Sequence, residues 1–397
     1  GAGGSQPWLI AAQTAMAFVL TVGAGLMLES FATLRAKDFG YDPRGVLTSF
    51  LTLPASADGS RAAGAAAYER IRERIGALPG VTGVATASSV PMFGVTISMD
   101  VHIEGEPERR REHVAAMAAV SDGYFRVMGI PLRAGRLFGP GDREGSTHVA
   151  IVSASIAARY FAGNAVGRRI IVPELLYNID GGKEIPTEIV GVAGNVCVKS
   201  AADCDAEHIY LPESQNVLRM ENLLVRTAGD PKAMTGAVRR ALFEAAPTVP
   251  LDDPKTLEQR AGYLTDSPRR ATWLLGVFAG LALALAAAGV YGVAANSAAR
   301  RSRESGIRMA LGAEPRHIAG LVYRAVMRPT VIGLVAGAVG AAALTRLLGA
   351  LLYGVGPRDP KTLASAGIVL VAVALASGAI PAWSAARTDP ARVLRRN

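Results

Sequence analysis

Cysteine is nearly absent from this chain: two residues, Cys197 and Cys204, in 397. That excludes a disulfide-stapled scaffold, and five scattered histidines cannot complete a zinc site with them. The two thiols form a candidate disulfide where the chain meets an oxidising compartment; two free thiols are the alternative reading. Charged residues are also few, 19% of the total, and aromatics make up 6%. Catalytic signatures are missing as well: the chain contains no GxSxG, HExxH or GxxxxGK[ST]. We therefore assign no catalytic, cofactor-binding or metal residues and expect no enzyme. Low-complexity tracts are absent, which excludes a largely disordered chain.

What is present is apolar length. Half of the residues are hydrophobic and the mean hydropathy is +0.27. Four runs carry most of this: Leu9 to Leu28, Trp273 to Ala295, Thr330 to Leu352 and Leu363 to Ala382. A helix needs about 20 apolar residues to cross the hydrocarbon core, and every run reaches that length. Three are uncharged; the third contains Arg346, which either snorkels outward or marks a polar bundle interior. A buried soluble helix seldom carries so long an uncharged run. Two GxxxG pairs, Gly276 with Gly280 and Gly333 with Gly337, permit close helix approach, or arise by chance in Gly/Ala-rich spans.

The net charge of +9 is unevenly spread. Residues 29–272 are close to neutral, so the excess lies in the membrane-flanking pieces. A nucleic-acid binder would need a basic face on its soluble part, so nucleic acid is not an expected partner. Residues 296–329 contain Arg300, Arg301, Arg303, Arg308, Arg316, Arg324 and Arg328; the tail 383–397 contains Arg387, Arg392, Arg395 and Arg396. Short arginine-rich loops stay in the cytoplasm, which places 31–268 and the short loop near 353–362 outside.

The large outer segment alternates strand-like and helix-like patterns. Val46–Leu53 reads as a strand and Ala62–Leu78 as an amphipathic helix stopped by Pro79-Gly80. Strands follow at Val81–Val90 and Met99–Glu104. A second set reads as strand Leu223–Arg226, helix Lys232–Ala245 opened by Asp230-Pro231, and strand Val249–Leu251. The two sets form a split α/β subdomain, about 45–104 and 223–268, around a β-rich insertion, about 105–222. Asp203, Asp205, Glu207 and His208 could suggest a metal site but lack the spacing of a calcium loop, so a solvated polar hairpin is expected. Arg109, Arg110 and Arg111 alternate with glutamates and read as a solvated turn.

The order is one span (9–28), a large outer domain (31–268), a span (273–295), a basic cytoplasmic loop (296–329), two spans (330–352 and 363–382) and a cytoplasmic tail (383–397). The loop contains Arg303-Glu304-Ser305-Gly306-Ile307-Arg308-Met309-Ala310-Leu311-Gly312-Ala313, the tail region Ile380-Pro381-Ala382-Trp383-Ser384-Ala385-Ala386-Arg387-Thr388-Asp389-Pro390, and the outer domain Gly123-Tyr124-Phe125-Arg126-Val127-Met128-Gly129-Ile130-Pro131-Leu132 with Gly135-Arg136. With these motifs in this order, the chain resembles the FtsX-like, MacB-type ABC transporter permeases. It departs from their R-E-I-G-I-R signature at Ser305, and Trp383 and Ser384 replace two arginines of the closing motif. The resemblance is closest to the second half of the duplicated orphan permeases of the acidobacterial type; a start without methionine or a basic leader is expected for such a half.

The resemblance implies an α+β membrane protein: four transmembrane helices, with a large extracytoplasmic MacB-like periplasmic core inserted between helix 1 and helix 2. It implies a multi-pass protein of the bacterial inner membrane, surrounded by lipid, whose partners are a cytoplasmic ABC ATPase, a second permease half or an identical copy, and a periplasmic adaptor. Its implied function is mechanotransmission, in which a separate ATPase drives extracytoplasmic export or release of a substrate. The implied ATPase-coupling residues are Arg303, Glu304, Gly306, Arg308, Met309, Leu311 and Gly312. Glu304 and Arg308 at i,i+4 support a helix, and Gly312 can end it. The alternative is a non-transporting signalling protein whose outer domain activates a partner such as a cell-wall hydrolase. The outer domain of those relatives is small, whereas this one spans some 240 residues, which favours transport.

Overall fold

The structure, a computed structural model, describes residues 5–54, 61–91, 96–104, 113–173, 184–197, 203–300, 315–348 and 360–386. The chain divides into two compact units: Lys37–Leu264, and Gly1–Ala36 together with Thr265–Asn397.

The second of these units holds the apolar helices. α1 is Ser5–Ala36, α6 is Leu257–Arg300, α7 is Pro315–Leu348 and α8 is Pro360–Ala386. Each contains a stretch long and apolar enough to cross a membrane: Trp8–Thr33, Thr272–Ala299, Val326–Ala343 and Pro360–Pro381. All four contribute to one core around Phe18, Val22, Leu26, Ala286, Ala341 and Leu370. α7 and α8 carry prolines, Pro329 and Pro381, inside the helix, which a bundle tolerates where neighbours satisfy the freed carbonyls.

The unit Lys37–Leu264 is built on a sheet. Its strands are β1 (Val46–Thr52), β2 (Val81–Ala87), β3 (Ile97–Ile103), β4 (His113–Val120), β5 (Leu132–Gly135), β6 (Val149–Ser153), β7 (Arg169–Pro173), β8 (Glu184–Ala193), β9 (His208–Pro212), β10 (Met220–Thr227) and β11 (Asp252–Thr256). Its helices are α2 (Arg61–Gly76), α3 (Tyr124–Met128), α4 (Ala154–Phe161) and α5 (Thr235–Ala245). The strand order runs β11-β1-β10-β2-β4-β3-β7-β8-β6-β9, and β9 also pairs with β4. That last pairing closes β4-β3-β7-β8-β6-β9 into a ring of six strands. The ring meets the open part of the sheet at one residue pair, Ala87↔Val120.

Side-chain alternation shows which way the ring faces. Val101, Ala115, Met117, Ala119, Val152, Ile170, Ile189 and Ile209 belong to one core, so every ring strand points alternate residues to a shared interior. Their neighbours Ala116, Ala118, Ile151, Val190 and Tyr210 belong to a second core with α3. Strands buried on both faces read as continuous apolar runs, as Ala115–Val120 does. The open sheet β11-β1-β10-β2 is covered by α2 and α5 through Leu47, Leu51, Leu223 and Val225. α2 buries Tyr68, Ile71 and Ile75, spaced to share one helix face; each buried isoleucine contributes about 1.5–3 kcal/mol. The Tyr68 phenol is satisfied by donating to the Leu218 and Arg219 carbonyls at 3.1 and 2.9 Å.

Several boundaries differ from the sequence reading, and two of them have a visible cause. α5 begins at Thr235, not at Lys232. Asp230 does accept from the Lys232 N–H at 3.0 Å, but the next bonds are i→i+3 turns, and the α pattern starts only with Val238 N–H to Met234. The last strand is Asp252–Thr256 rather than Val249–Leu251. Val249 packs under α5 instead.

Candidate functional site

The coupling residues Arg303, Glu304, Gly306, Arg308, Met309, Leu311 and Gly312 lie outside the described residues, between the end of α6 at Arg300 and the start of α7 at Pro315. Arg109–Arg111 and the side chain of Arg346 lie outside them too.

The two GxxxG pairs separate. A methyl group added at Gly333 would stand 2.5 Å from the Ala11 carbonyl oxygen and 2.7 Å from Thr14 Cβ; at Gly337 it would stand 2.8 Å from Phe18 Cβ. These glycines seat α7 directly on α1. Gly276 and Gly280 on α6 face no atom within 4 Å. At the other end of α1, Gly25 packs on Thr362 of α8, whose hydroxyl donates to Glu29 at 3.0 Å.

In the outer unit the motif from Gly123 to Arg136 is structural. Tyr124 and Phe125 are buried in the core beside Tyr210, with Phe125 edge-on to Tyr210 at 4.9 Å. Gly129 ends α3 at φ 70°, a left-handed conformation glycine adopts without strain. Arg136 makes a two-bonded pair with Asp142 at 2.6 and 2.8 Å, and Asp142 also accepts from the Gly139 N–H. The hydrogen bonds from Arg136 hold the Asp142 carboxyl below its ordinary pKa despite partial burial.

A cleft of about 650 Å³ lies between α2 and the loop that Asp142 organises, lined by Glu69, Arg72, Asp122, Arg143 and Glu213 among others. Its wall is an ion network. Arg72 donates to both Glu213 oxygens at 2.7 and 2.9 Å, and to Thr86 Oγ1 at 2.7 Å; it also pairs with Glu69. Burial opposes the Arg72 charge, but the Glu213 charge and hydrogen bond outweigh it and hold its pKa above the ordinary value. Behind Glu213 lies Glu221, 1% exposed, with neither carboxylate oxygen hydrogen-bonded to a described residue. Burial first, then the Glu213 charge, push its pKa well above the usual carboxylate range, with the Arg72 charge offsetting part of it.

The acidic stretch after Cys197 does not converge on a point. Glu207 pairs with Arg159 and accepts from the Tyr160 hydroxyl, and Asp205 accepts from Asn195 Nδ2 at 3.1 Å. His208 turns into the core, stacked on Tyr210 at 4.3 Å, where burial lowers its pKa to about 3. Strand alternation causes this split: Glu207 and His208 point to opposite faces. Among the described residues no group of three His, Cys, Asp or Glu could hold a metal ion. The sulfurs of Cys197 and Cys204 lie against one another.

Comparison with known proteins follows this division. Residues 14–245 match the MacB-like periplasmic core domain, and residues 276–390 match the FtsX-like permease C-terminal domain. The chain is 24% identical over 292 residues to a probable export ATP-binding/permease protein MacB of Pseudomonas entomophila, covering 70% of this chain and 42% of that protein. It is 27% identical over 296 residues to the pyoverdine export ATP-binding/permease protein PvdT of Pseudomonas syringae pv. tomato, covering 69% and 42%. A macrolide export ATP-binding/permease protein MacB of Wolinella succinogenes is 24% identical over 333 residues, covering 78% and 49%. The chain thus spans less than half the length of these relatives. The solved periplasmic region of MacB from Actinobacillus actinomycetemcomitans superposes with a TM-score of 0.37 at 12% identity, covering 57% of this chain and 95% of that one. With a family match over more than half of its length, four apolar helices and an outer α+β unit, the chain belongs to the MacB-like, FtsX-like family of ABC transporter permeases, multi-pass inner-membrane proteins with an extracytoplasmic core domain.

Proposed function

We propose that this chain is a permease subunit of the mechanotransmission kind. It couples ATP hydrolysis by a separate cytoplasmic ATPase to export or release of a substrate on the outer side. One observation carries the reading: a single chain joins a MacB-like core to an FtsX-like bundle, with an arginine-rich loop between the second and third spans. Residues 1–397 contain no phosphate-binding loop, so in this reading the nucleotide chemistry is supplied from outside them. A second permease half or an identical copy completes the membrane part, and a periplasmic adaptor receives the substrate.

The coupling loop is the site to test. Glu304→Lys places like charges four residues apart with Arg308, and in the helix expected there from the sequence this costs only a few tenths of a kcal/mol. Expression and insertion are therefore unchanged, and any large loss arises at the docking surface. The expected result is loss of the ATPase from a pull-down, at matched membrane levels, together with loss of ATP-dependent export. Equal ATPase recovery would refute the docking role. Activation of a cell-wall hydrolase without export would move the chain to the signalling class.

A further inference from the structure

Both walls of the cleft beside α2 are fixed by hydrogen bonds. α2 forms one wall, and its Arg72 is tied to Glu213, just after β9, and to Thr86 on β2. The loop around Asp142 forms the other. It is held by the Arg136–Asp142 pair, by the Gly139 N–H on the Asp142 carboxylate and by the Ser214 hydroxyl, which donates to the Asp142 carbonyl. The opening of about 650 Å³ is therefore built into the fold, and its size is that of a small-molecule site.

The charges around it do not cancel. Glu69, Glu73, Asp122, Asp142 and Glu213 line the cleft, against the guanidinium groups of Arg72 and Arg143. Arg72 serves both Glu69 and Glu213, and Arg136 serves Asp142 from behind. Glu73 and Asp122 make no side-chain hydrogen bond or ion pair with a described residue. Burial raises the Asp122 pKa; Arg72 opposes this, and Glu69 and Asp142 add to it. A third carboxyl without a partner lies deeper. Glu221 alternates along β10 with Leu223 and Val225, which face α2 and α5. Its side chain thus points to the α2 side, toward Arg72 and Glu213; it is 1% exposed, and neither oxygen is hydrogen-bonded to a described residue. Buried polar groups without partners cost free energy that a bound donor recovers.

The occupant follows from these groups. An inorganic dication needs several oxygens converging on a point, and among the described residues no such group exists. An anion would meet the excess negative charge. Ammonium groups satisfy the unpaired carboxylates, and Ala65, Ala66, Val84 and Pro140 offer apolar surface to the methylenes between them. We propose that this cleft of the outer domain binds small aliphatic amines with two or more ammonium groups, with Glu73 and Asp122 as their charge partners. The site lies wholly within the unit Lys37–Leu264 and stands apart from the permease reading, because its test needs neither ATPase nor transport.

The test is calorimetric titration of the full chain in phosphatidylcholine nanodiscs with cadaverine, using empty nanodiscs as the blank. Saturable binding of the diamine is expected, with no binding of the neutral diol of the same chain length and no displacement by an equal concentration of magnesium. Asp122→Asn and Glu73→Gln each weaken binding about tenfold, by loss of one charge-assisted hydrogen bond. Asp100→Asn, an equal change of charge at an exposed position on β3, leaves it unchanged. Ala66→Trp fills the cleft from an exposed position on α2 and abolishes binding without removing a carboxylate. All four variants keep the melting temperature of the unsubstituted protein. Equal affinity in Asp122→Asn and Asp100→Asn, full binding in Ala66→Trp, or binding of the diol as tight as that of the diamine would each overturn the proposal. Displacement by magnesium would overturn it too, and would mark a general cation-attracting surface.

Discussion

Replacing Glu221 by glutamine should remove a pH dependence from the outer domain. Glu221 is on β10 behind the Arg72–Glu213 pair, and burial and the Glu213 charge hold its pKa well above the ordinary value. The folded state therefore keeps its proton above the pH, about 4.3, at which the unfolded chain releases it. A group whose folded pKa is raised gives stability that is complete below its unfolded value and is lost as pH rises through the folded one. The loss is up to about 1.4 kcal/mol for each pH unit over which the folded side chain keeps a proton that the unfolded one has released. With a urea slope of about 2–3 kcal/mol/M, the midpoint of the unsubstituted protein should fall by up to roughly 0.5 M per pH unit while that proton is kept. The Glu221→Gln protein keeps a neutral side chain of the same shape, and its midpoint should fall much less.

Asp122, raised mainly by burial, acts in the same direction, but the substitution leaves it in place, so the difference between the two slopes isolates Glu221. Asp42, Asp142 and Asp253 are all lowered, chiefly by side-chain hydrogen bonds, and lose their contribution only as pH falls below the carboxylate range. The signal should be tyrosine near-ultraviolet circular dichroism, because Trp8, Trp273 and Trp383 all lie outside the unit Lys37–Leu264. Parallel midpoint curves for the two proteins between pH 5 and 7 would show that Glu221 is ionised in the folded state and that its surroundings have been misjudged.

Further outcomes follow from other elements. A cysteine at the exposed position Glu144 should react with an impermeant maleimide in intact spheroplasts, and one at Ala313 should not; the reverse labelling would invert the topology. Gly337→Leu forces side-chain atoms into Phe18 and should destabilise the bundle by about 1–3 kcal/mol in a detergent melting assay, while Gly276→Leu should be neutral. Removing the Cys197–Cys204 bond by Cys204→Ser should cost about 2–3 kcal/mol, and alkylation without reductant should modify neither native cysteine.

The spans were legible because uncharged length is a property of one contiguous segment. α2 was legible because Tyr68, Ile71 and Ile75 repeat at helical spacing. The motif around Tyr124 located a compact core element, but its residue types could not say that they pack against one another rather than against a ligand. The ring closure was not legible, since β4 and β9 are parallel neighbours chosen by tertiary packing and both read simply as apolar runs. Nor was β11: Asp252-Asp253-Pro254-Lys255-Thr256 has no apolar alternation, and its place is set by hydroxyls of Thr48 and Ser49 on the strand beside it. Arg72 and Glu213 are 141 positions apart, so no local pattern announces the pair.

The open sheet has a further consequence, for biogenesis. β10 lies between β1 and β2, although both of those strands precede it by more than a hundred residues. As the chain crosses the membrane amino end first, β1 and β2 emerge with their facing edges bare, and they stay so until Thr227 has followed. The ring has its own interior and can close once β9 has emerged, before β10 arrives. Unpaired edges invite association with other chains. The interval between export of Ala87 and export of Met220 is therefore when this protein most needs an extracytoplasmic chaperone, and slowing translocation there should raise aggregation without altering the finished fold.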